Sequence, residues 1–284
     1  MTSVPLPHPK RTTRFLETPI LRIAFSSILL VCLLVPDRAG SQESLKRREI
    51  TYENVTFSFD VSLAKDFVAE TIKAVPLINK TEKPDGVWPE HIRITFRDSY
   101  VPAARQRAGR EFDQARIYVF PTGDPANKEF ASDFPTTVGA VEELNKYLSR
   151  RSHPRGERVP FLPWYDVSQA MVSKRKTVRF RNGRGVLFLT QFEQEKTPIN
   201  NADLVYTFQG LTDDNNWYVS AFFPVTAPRF PPTGKINNPA EFARSYDRML
   251  KDAVDRLERL PGRNFAPNLA LLENIIRSLK VSPR

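Results

Sequence analysis

The sequence predicts an α+β fold, an antiparallel β-sheet with helices packed on it. Three observations carry this expectation. Apolar and polar residues alternate over several short runs, turn-forming segments join neighbouring runs as hairpins, and apolar residues recur at helical spacing towards the C-terminus. An apolar content of 40%, with 20 phenylalanines, supplies a packed core and excludes a disordered chain.

The strands come first. Val55, Phe57, Phe59 and Val61 alternate with Thr56, Ser58 and Asp60, the period of a half-buried strand. Phe67 to Val75 is read as a second strand. Ile92, Ile94 and Phe96 alternate with His91, Arg93, Thr95 and Arg97, and Arg116 to Phe120 forms a short run stopped by Pro121. A helix follows, with Val138, Val141, Leu144, Tyr147 and Leu148 on one face and an end near Arg150. Val167 to Lys174 is read as a shorter helix. Asn182-Gly183 predicts a type I′ hairpin turn, because both residues tolerate positive φ. A second hairpin joins Leu204–Leu211 to Trp217–Val225 through Thr212-Asp213-Asp214-Asn215-Asn216, residues that hydrogen-bond their own backbone in turns.

Asn238 then caps a helix with Pro239 in its first turn, where a missing N–H costs nothing. Phe242, Tyr246, Met249, Leu250, Ala253, Leu257 and Leu260 line one face, and Pro261-Gly262 ends it. A last helix carries Leu269, Leu272, Ile275, Ile276 and Leu279, so the fold is expected to close with long C-terminal helices. Between these elements lie Pro-rich connections, 76–89, 121–135, 154–163 and 224–239. With 24 prolines against 11 glycines they are stiff.

The N-terminus predicts export. Lys10, Arg11, Arg14 and Arg22 precede an apolar run from Ile23 to Val35, shorter than the roughly 20 residues that a membrane-spanning helix needs. Pro36 ends the run, and Ala39-Gly40-Ser41 supplies small residues for a cut after Ser41. The expected organisation is a signal peptide over 1–41 and a single α+β domain over 42–284, periplasmic or extracellular. The alternative is a membrane anchor, through an uncleaved segment or through lipidation of Cys32. Cys32 is the only cysteine. Its removal with the signal leaves no disulfide, thiol nucleophile or thiolate metal site.

The chain carries a net charge of +10, in short clusters such as Lys46-Arg47-Arg48, Arg105/Arg107/Arg110 and Arg150/Arg151/Arg155/Arg158. These suit solvated loops or contact with an anionic membrane surface or acidic polymer. They are not interleaved with stacking aromatics, which argues against nucleic acid as a partner.

Candidate chemistry is sparse. Beyond the signal only His91 and His153 remain, both read as surface histidines, and no set of metal ligands has recognisable spacing. No Gly-x-Ser-x-Gly elbow and no Gly-rich phosphate loop occurs. No cofactor is expected. Glu193 and Glu195 flank Gln194 at a strand end, a carboxylate pair of the kind that suits a glycosidase-like hydrolase. Asp213-Asp214 lies in a turn and lacks the spaced ligands of a calcium loop. Gln191, Asn200, Asn201, Tyr206, Gln209, Trp217 and Tyr218 fall within one double-hairpin region, and aromatic platforms beside amides suit a small polar ligand. Arg93 and Arg97 share one side of their strand, as Arg179 and Arg181 share theirs. They form an anion patch if those strands are neighbours.

Two segments carry a resemblance. The opening Tyr52-Glu53-Asn54-Val55-Thr56-Phe57-Ser58-Phe59 and the terminal Ile275-Ile276-Arg277-Ser278-Leu279-Lys280 resemble the two ends of PsbP/Mog1-like domains. The middle of the chain, from Gly185 to Pro224, is similar to uncharacterised exported bacterial proteins. The resemblance implies an antiparallel sheet sandwiched by helices and an accessory role, and it assigns no catalytic residues. The function expected is a non-catalytic binding or accessory protein of the bacterial envelope, its ligand or envelope partner unspecified. The alternative is an exported carboxylate-dependent hydrolase.

Overall fold

The computed structural model describes residues 46–74, 89–99, 111–122, 135–163 and 167–283. The proposed signal 1–41 with Cys32, the Arg105/Arg107/Arg110 cluster and most of the connections 76–89 and 121–135 lie outside the described residues.

The fold is α+β, with a large antiparallel sheet of eight strands and three helices among the described residues. Strands β1 (Arg47–Tyr52) and β2 (Val55–Asp60) form a hairpin, to which β11 (Lys280–Val281) adds. The large sheet contains β3 (Ala64–Ile72), β4 (His91–Ser99), β5 (Arg116–Pro121), β6 (Ser168–Gln169), β7 (Ser173–Phe180), β8 (Gly183–Glu193), β9 (Leu204–Thr212) and β10 (Trp217–Pro224). Its order is β3-β4-β5-β10-β9-β8, and both β6 and β7 pair with the long β8. The helices are α1 (Pro135–Ser149), α2 (Pro239–Arg259) and α3 (Leu269–Ser278).

Register gives the central strands two buried faces. Leu187, Phe208, Ala221 and Ile117 lie side by side on one face, as do Leu189, Tyr206 and Phe223. This face packs against Val55, Phe57 and Phe59 of β2 and against Leu272, Ile275 and Ile276 of α3. On the other face Phe188, Val205, Tyr218, Phe222 and Phe120 pack against Leu144 and Tyr147 of α1 and against Val159 and Leu162 of the connection that follows. Burial on both faces explains why β10 reads as a near-continuous apolar run, and every residue of β9 is likewise buried.

Glycines allow the tightest approach between β8 and β9. Gly185 and Gly210 are direct partners, and the Phe208 ring lies over both, meeting Phe180 edge to face at 5.9 Å. A side chain at either position would occupy the space of that ring.

Three expectations need correction. The β7–β8 hairpin forms, but Phe180 pairs with Gly183, so its two-residue turn is Arg181-Asn182. Neither Asn182 nor Gly183 has a positive φ. The turn is held by the C-terminal segment instead: Asn182 donates to Val281 O (2.6 Å) and accepts from Val281 N (3.1 Å), and Arg181 N–H donates to Leu279 O. Gly183 serves close packing, since a Cβ there would meet the Phe180 ring and Leu211 O.

Val167 to Lys174 is not a helix. Gln169 pairs with Phe192, and Ala170 N–H donates to Gln191 O, so the unpaired edge of β8 captures the segment as strand. His91 is buried rather than surface-exposed. Its ring lies 4.9 Å from that of Phe120, and Nδ1 lies 2.8 Å from Pro89 O. His153 is 14% exposed at its side chain, stacked on Tyr147 at 3.8 Å with Nδ1 3.1 Å from Glu157 Oε2.

Candidate functional site

The site begins with two neighbouring asparagines that clip loops together. Asn200 is fully buried. Its amide donates to Asp203 Oδ2 (2.8 Å), Pro198 O (2.9 Å) and Gln191 Oε1 (3.2 Å), and its Oδ1 accepts from Ala202 N. Asn201 reaches the other way. It accepts from Ala227 N (2.8 Å) and donates to Ala227 O and Phe230 O (both 3.1 Å). The pair thereby sets Thr197, Pro198 and Ile199 beside Phe230 and Pro231.

Helix α2 lies across these loops. Asn238 Oδ1 accepts from Glu241 N (3.2 Å), and Pro239 occupies the first turn. The helix is amphipathic, yet only Tyr246 and Leu257 are buried among its residues, and Met249 is 41% exposed. Its C-terminal end is the better anchored. Glu258 accepts from Ser173 Oγ (3.0 Å) and Lys174 N (2.8 Å), and Leu257 is fully enclosed. Along the rest of the helix the apolar stripe faces a groove of about 240 Å³, lined by Ile199, Phe230, Phe242, Tyr246, Met249 and Ala253 among others. A second crevice of about 410 Å³, lined by Met171, Val172 and Val254, flanks the opposite side, and Leu250 lines both.

Polar groups bound the groove. The Tyr246 hydroxyl donates to Glu193 Oε1 (3.1 Å), and the other oxygen of Glu193 accepts from Thr197 N (3.2 Å). Burial, reinforced by the Glu193 carboxylate, pushes the Tyr246 hydroxyl up to about 12. The Lys196 ammonium lies 4.5 Å from the centre of the Tyr246 ring, and the Arg256 guanidinium 5.3 Å from that of Phe230. Each is a cation stacked on an aromatic wall. Asp252 supplies a carboxylate to the lining.

The polar and aromatic residues singled out in the sequence do not gather into one site. Gln191, Tyr206 and Trp217 face one side of the sheet, Gln209 and Tyr218 the other. Gln191 serves the Asn200 clip and donates to Thr197 Oγ1 (2.8 Å). Gln209 accepts from the Tyr218 hydroxyl (2.6 Å) and from Leu162 N (3.0 Å), binding the segment after α1 to the sheet. Burial pushes both Tyr206 and Tyr218 up. Trp217 is 5% exposed, at the end of the β9–β10 turn.

The arginines likewise separate. Arg93 pairs with Glu70 on β3 (3.0 Å) and Arg179 with Asp213 (2.9 Å), while Arg97 and Arg181 are exposed. Four strands intervene between β4 and β7, roughly 24 Å at the usual strand spacing, so the four arginines do not form one anion patch. Of the carboxylate pair, Glu193 is half-buried and engaged by Tyr246 and Thr197, whereas Glu195 is exposed beyond the strand. Among the described residues no group of three or more His, Cys, Asp and Glu side chains is placed to hold a metal ion. No helix there is long and apolar enough to cross a membrane.

The α2 stripe was visible in the sequence, but helical spacing alone reads as core. The clue to a groove is the neighbouring Pro-rich 224–239 segment, which supplies Phe230 and Pro231 as an opposite wall. No protein-family model matches the chain, and no curated protein matches it at a significant level.

Proposed function

We propose that the protein is an exported accessory or binding protein of the bacterial envelope, and that the groove beneath α2 holds its ligand. The groove carries this reading. It is a concave, mostly apolar space with a few polar groups at its rim, the composition of small-molecule sites, and just below their usual roughly 300–1,000 Å³. The cationic N-terminus with its short apolar run supports export. The PsbP/Mog1-like sandwich belongs to the same proposal. In its support, the two resembling segments meet: Ser58 N–H donates to Ser278 Oγ (2.8 Å), and Lys280 pairs with Thr56.

The test has two readouts. Mass spectrometry of the protein from the non-cytoplasmic fraction of its host should find a chain starting at Gln42. The uncharged fluorophore N-phenyl-1-naphthylamine should bind it and brighten, and Ala253→Trp, which fills the groove, should abolish that signal while leaving the unfolding midpoint in place. An intact N-terminus in the cytoplasm, or undiminished fluorescence from Ala253→Trp, would overturn the proposal.

A further inference from the structure

The two stacked cations differ in their place: Arg256 belongs to the lining of the groove, whereas Lys196 stands outside that lining, over the Tyr246 ring. A carboxylate stands near each of them: Glu193 accepts the Tyr246 hydroxyl beneath Lys196, and Asp252 shares the groove lining with Arg256. Arg256 donates from one terminal nitrogen to Arg229 O (3.2 Å) and stacks on Phe230. Among the described residues no ion pair engages it, although Asp252 stands one turn earlier on the helix. A guanidinium carries five N–H donors in a planar fork that fits a carboxylate. Ten residues separate Tyr246 from Arg256, about 15 Å along the helix axis, with the apolar stripe between them.

We propose that the groove takes a medium-chain monocarboxylate, with the carboxylate on the Arg256 fork and the apolar tail running along α2 towards Tyr246. This rests on the groove being the binding site. A groove of about 240 Å³ is at the small end for a ligand site, which favours a medium-length tail over a long one. The stacked Phe230 ring holds the guanidinium plane at the groove mouth, which limits the ordering needed when the carboxylate arrives.

Displacement of N-phenyl-1-naphthylamine from the purified protein by octanoate and by octanol tests the assignment. Octanoate should displace the probe at least about tenfold more tightly than octanol, the scale of a charge-assisted hydrogen bond. Arg256→Gln should bring octanoate down to the level of octanol. The octanol affinity of that variant, unchanged, reports that the groove has survived. Lys196→Gln should leave the preference intact. Equal binding of octanoate and octanol to the unaltered protein would refute the carboxylate site while leaving the groove standing. Failure of the probe itself to bind would refute the groove. Loss of the preference in Lys196→Gln rather than Arg256→Gln would overturn the orientation. Tighter displacement by an apolar peptide with a free C-terminal carboxylate would replace the fatty acid with a peptide.

Discussion

Replacing Ser220 by alanine should stabilise the protein, against the usual direction of core substitutions. Ser220 lies in the middle of β10, fully buried between Gln209 and Tyr118 on the neighbouring strands, and among the described residues its hydroxyl has no hydrogen-bond partner. A buried hydroxyl without a partner costs about 1–3 kcal/mol. Its removal leaves a void smaller than one water, about 30 Å³, which at about 24 cal/mol per Å³ costs less than about 0.7 kcal/mol. The first effect wins, and the net gain is about 1 kcal/mol. Urea unfolding should show a higher midpoint with an unchanged slope. Thr190→Val is the paired control. Its hydroxyl is equally buried but donates to Met171 O at 2.7 Å, so the near-isosteric change should cost about 1 kcal/mol. If Ser220→Ala lowers the midpoint as far as Thr190→Val does, the hydroxyl has a partner and the reasoning fails.

Two further outcomes follow from packing and charge. In Gly185→Ala the new Cβ would lie 2.5 Å from the Phe208 ring and 2.6 Å from Gly210 Cα, and closer still to Gln209 O. Two of those neighbours are backbone, so the loss should reach about 3 kcal/mol or more in urea unfolding, and a loss below about 1 kcal/mol would contradict the packing. Glu273 is pushed up by burial, but Lys176 (2.8 Å) and Arg277 (2.6 Å) outweigh this and hold its carboxyl below the ordinary 4.5. A folded-state value below the unfolded one contributes stability that is complete above 4.5 and lost as pH falls through the lower folded value. Unfolding midpoints of the unaltered protein should therefore fall more steeply on acidification than those of Glu273→Gln, and parallel curves would exclude the effect.

Much of the sheet was legible because burial enforces a period of two. The alternation at Val55–Asp60 and His91–Phe96 corresponds to β2 and β4. Local hydrogen bonding made other features readable, such as the 212–216 turn, where Asn215 adopts a φ of 56°, and the Asn238 cap. What failed was decided by distant partners. Val167 to Lys174 has no local reason to be extended, and pairs because β8 outlasts β7 and leaves an open edge. Asn182-Gly183 suggested a left-handed turn, yet residues 279–281 supply bonds that favour another geometry. The candidate site was harder still. Sequence proximity grouped Tyr206 with Gln209, but an odd separation on one strand sends them to opposite faces. The Asn200 and Asn201 clips, which set the groove, join segments that only the folded chain brings near.

The partnership between the segment around residue 281 and β2 bears on the order of events during synthesis. Asn54 bonds to Ser282 and Ser58 to Ser278, contacts spanning 228 and 220 residues of chain. A ribosome delivers those partners at opposite ends of its work on this region. The corner containing Phe57 and Phe59 therefore stays open, and the Arg181-Asn182 turn unbraced, until residues 278–282 have emerged. Bringing such distant partners together is slow, and the apolar face of β2 meanwhile offers itself to chaperones. A chain truncated before residue 278 would lack the segment that completes this corner.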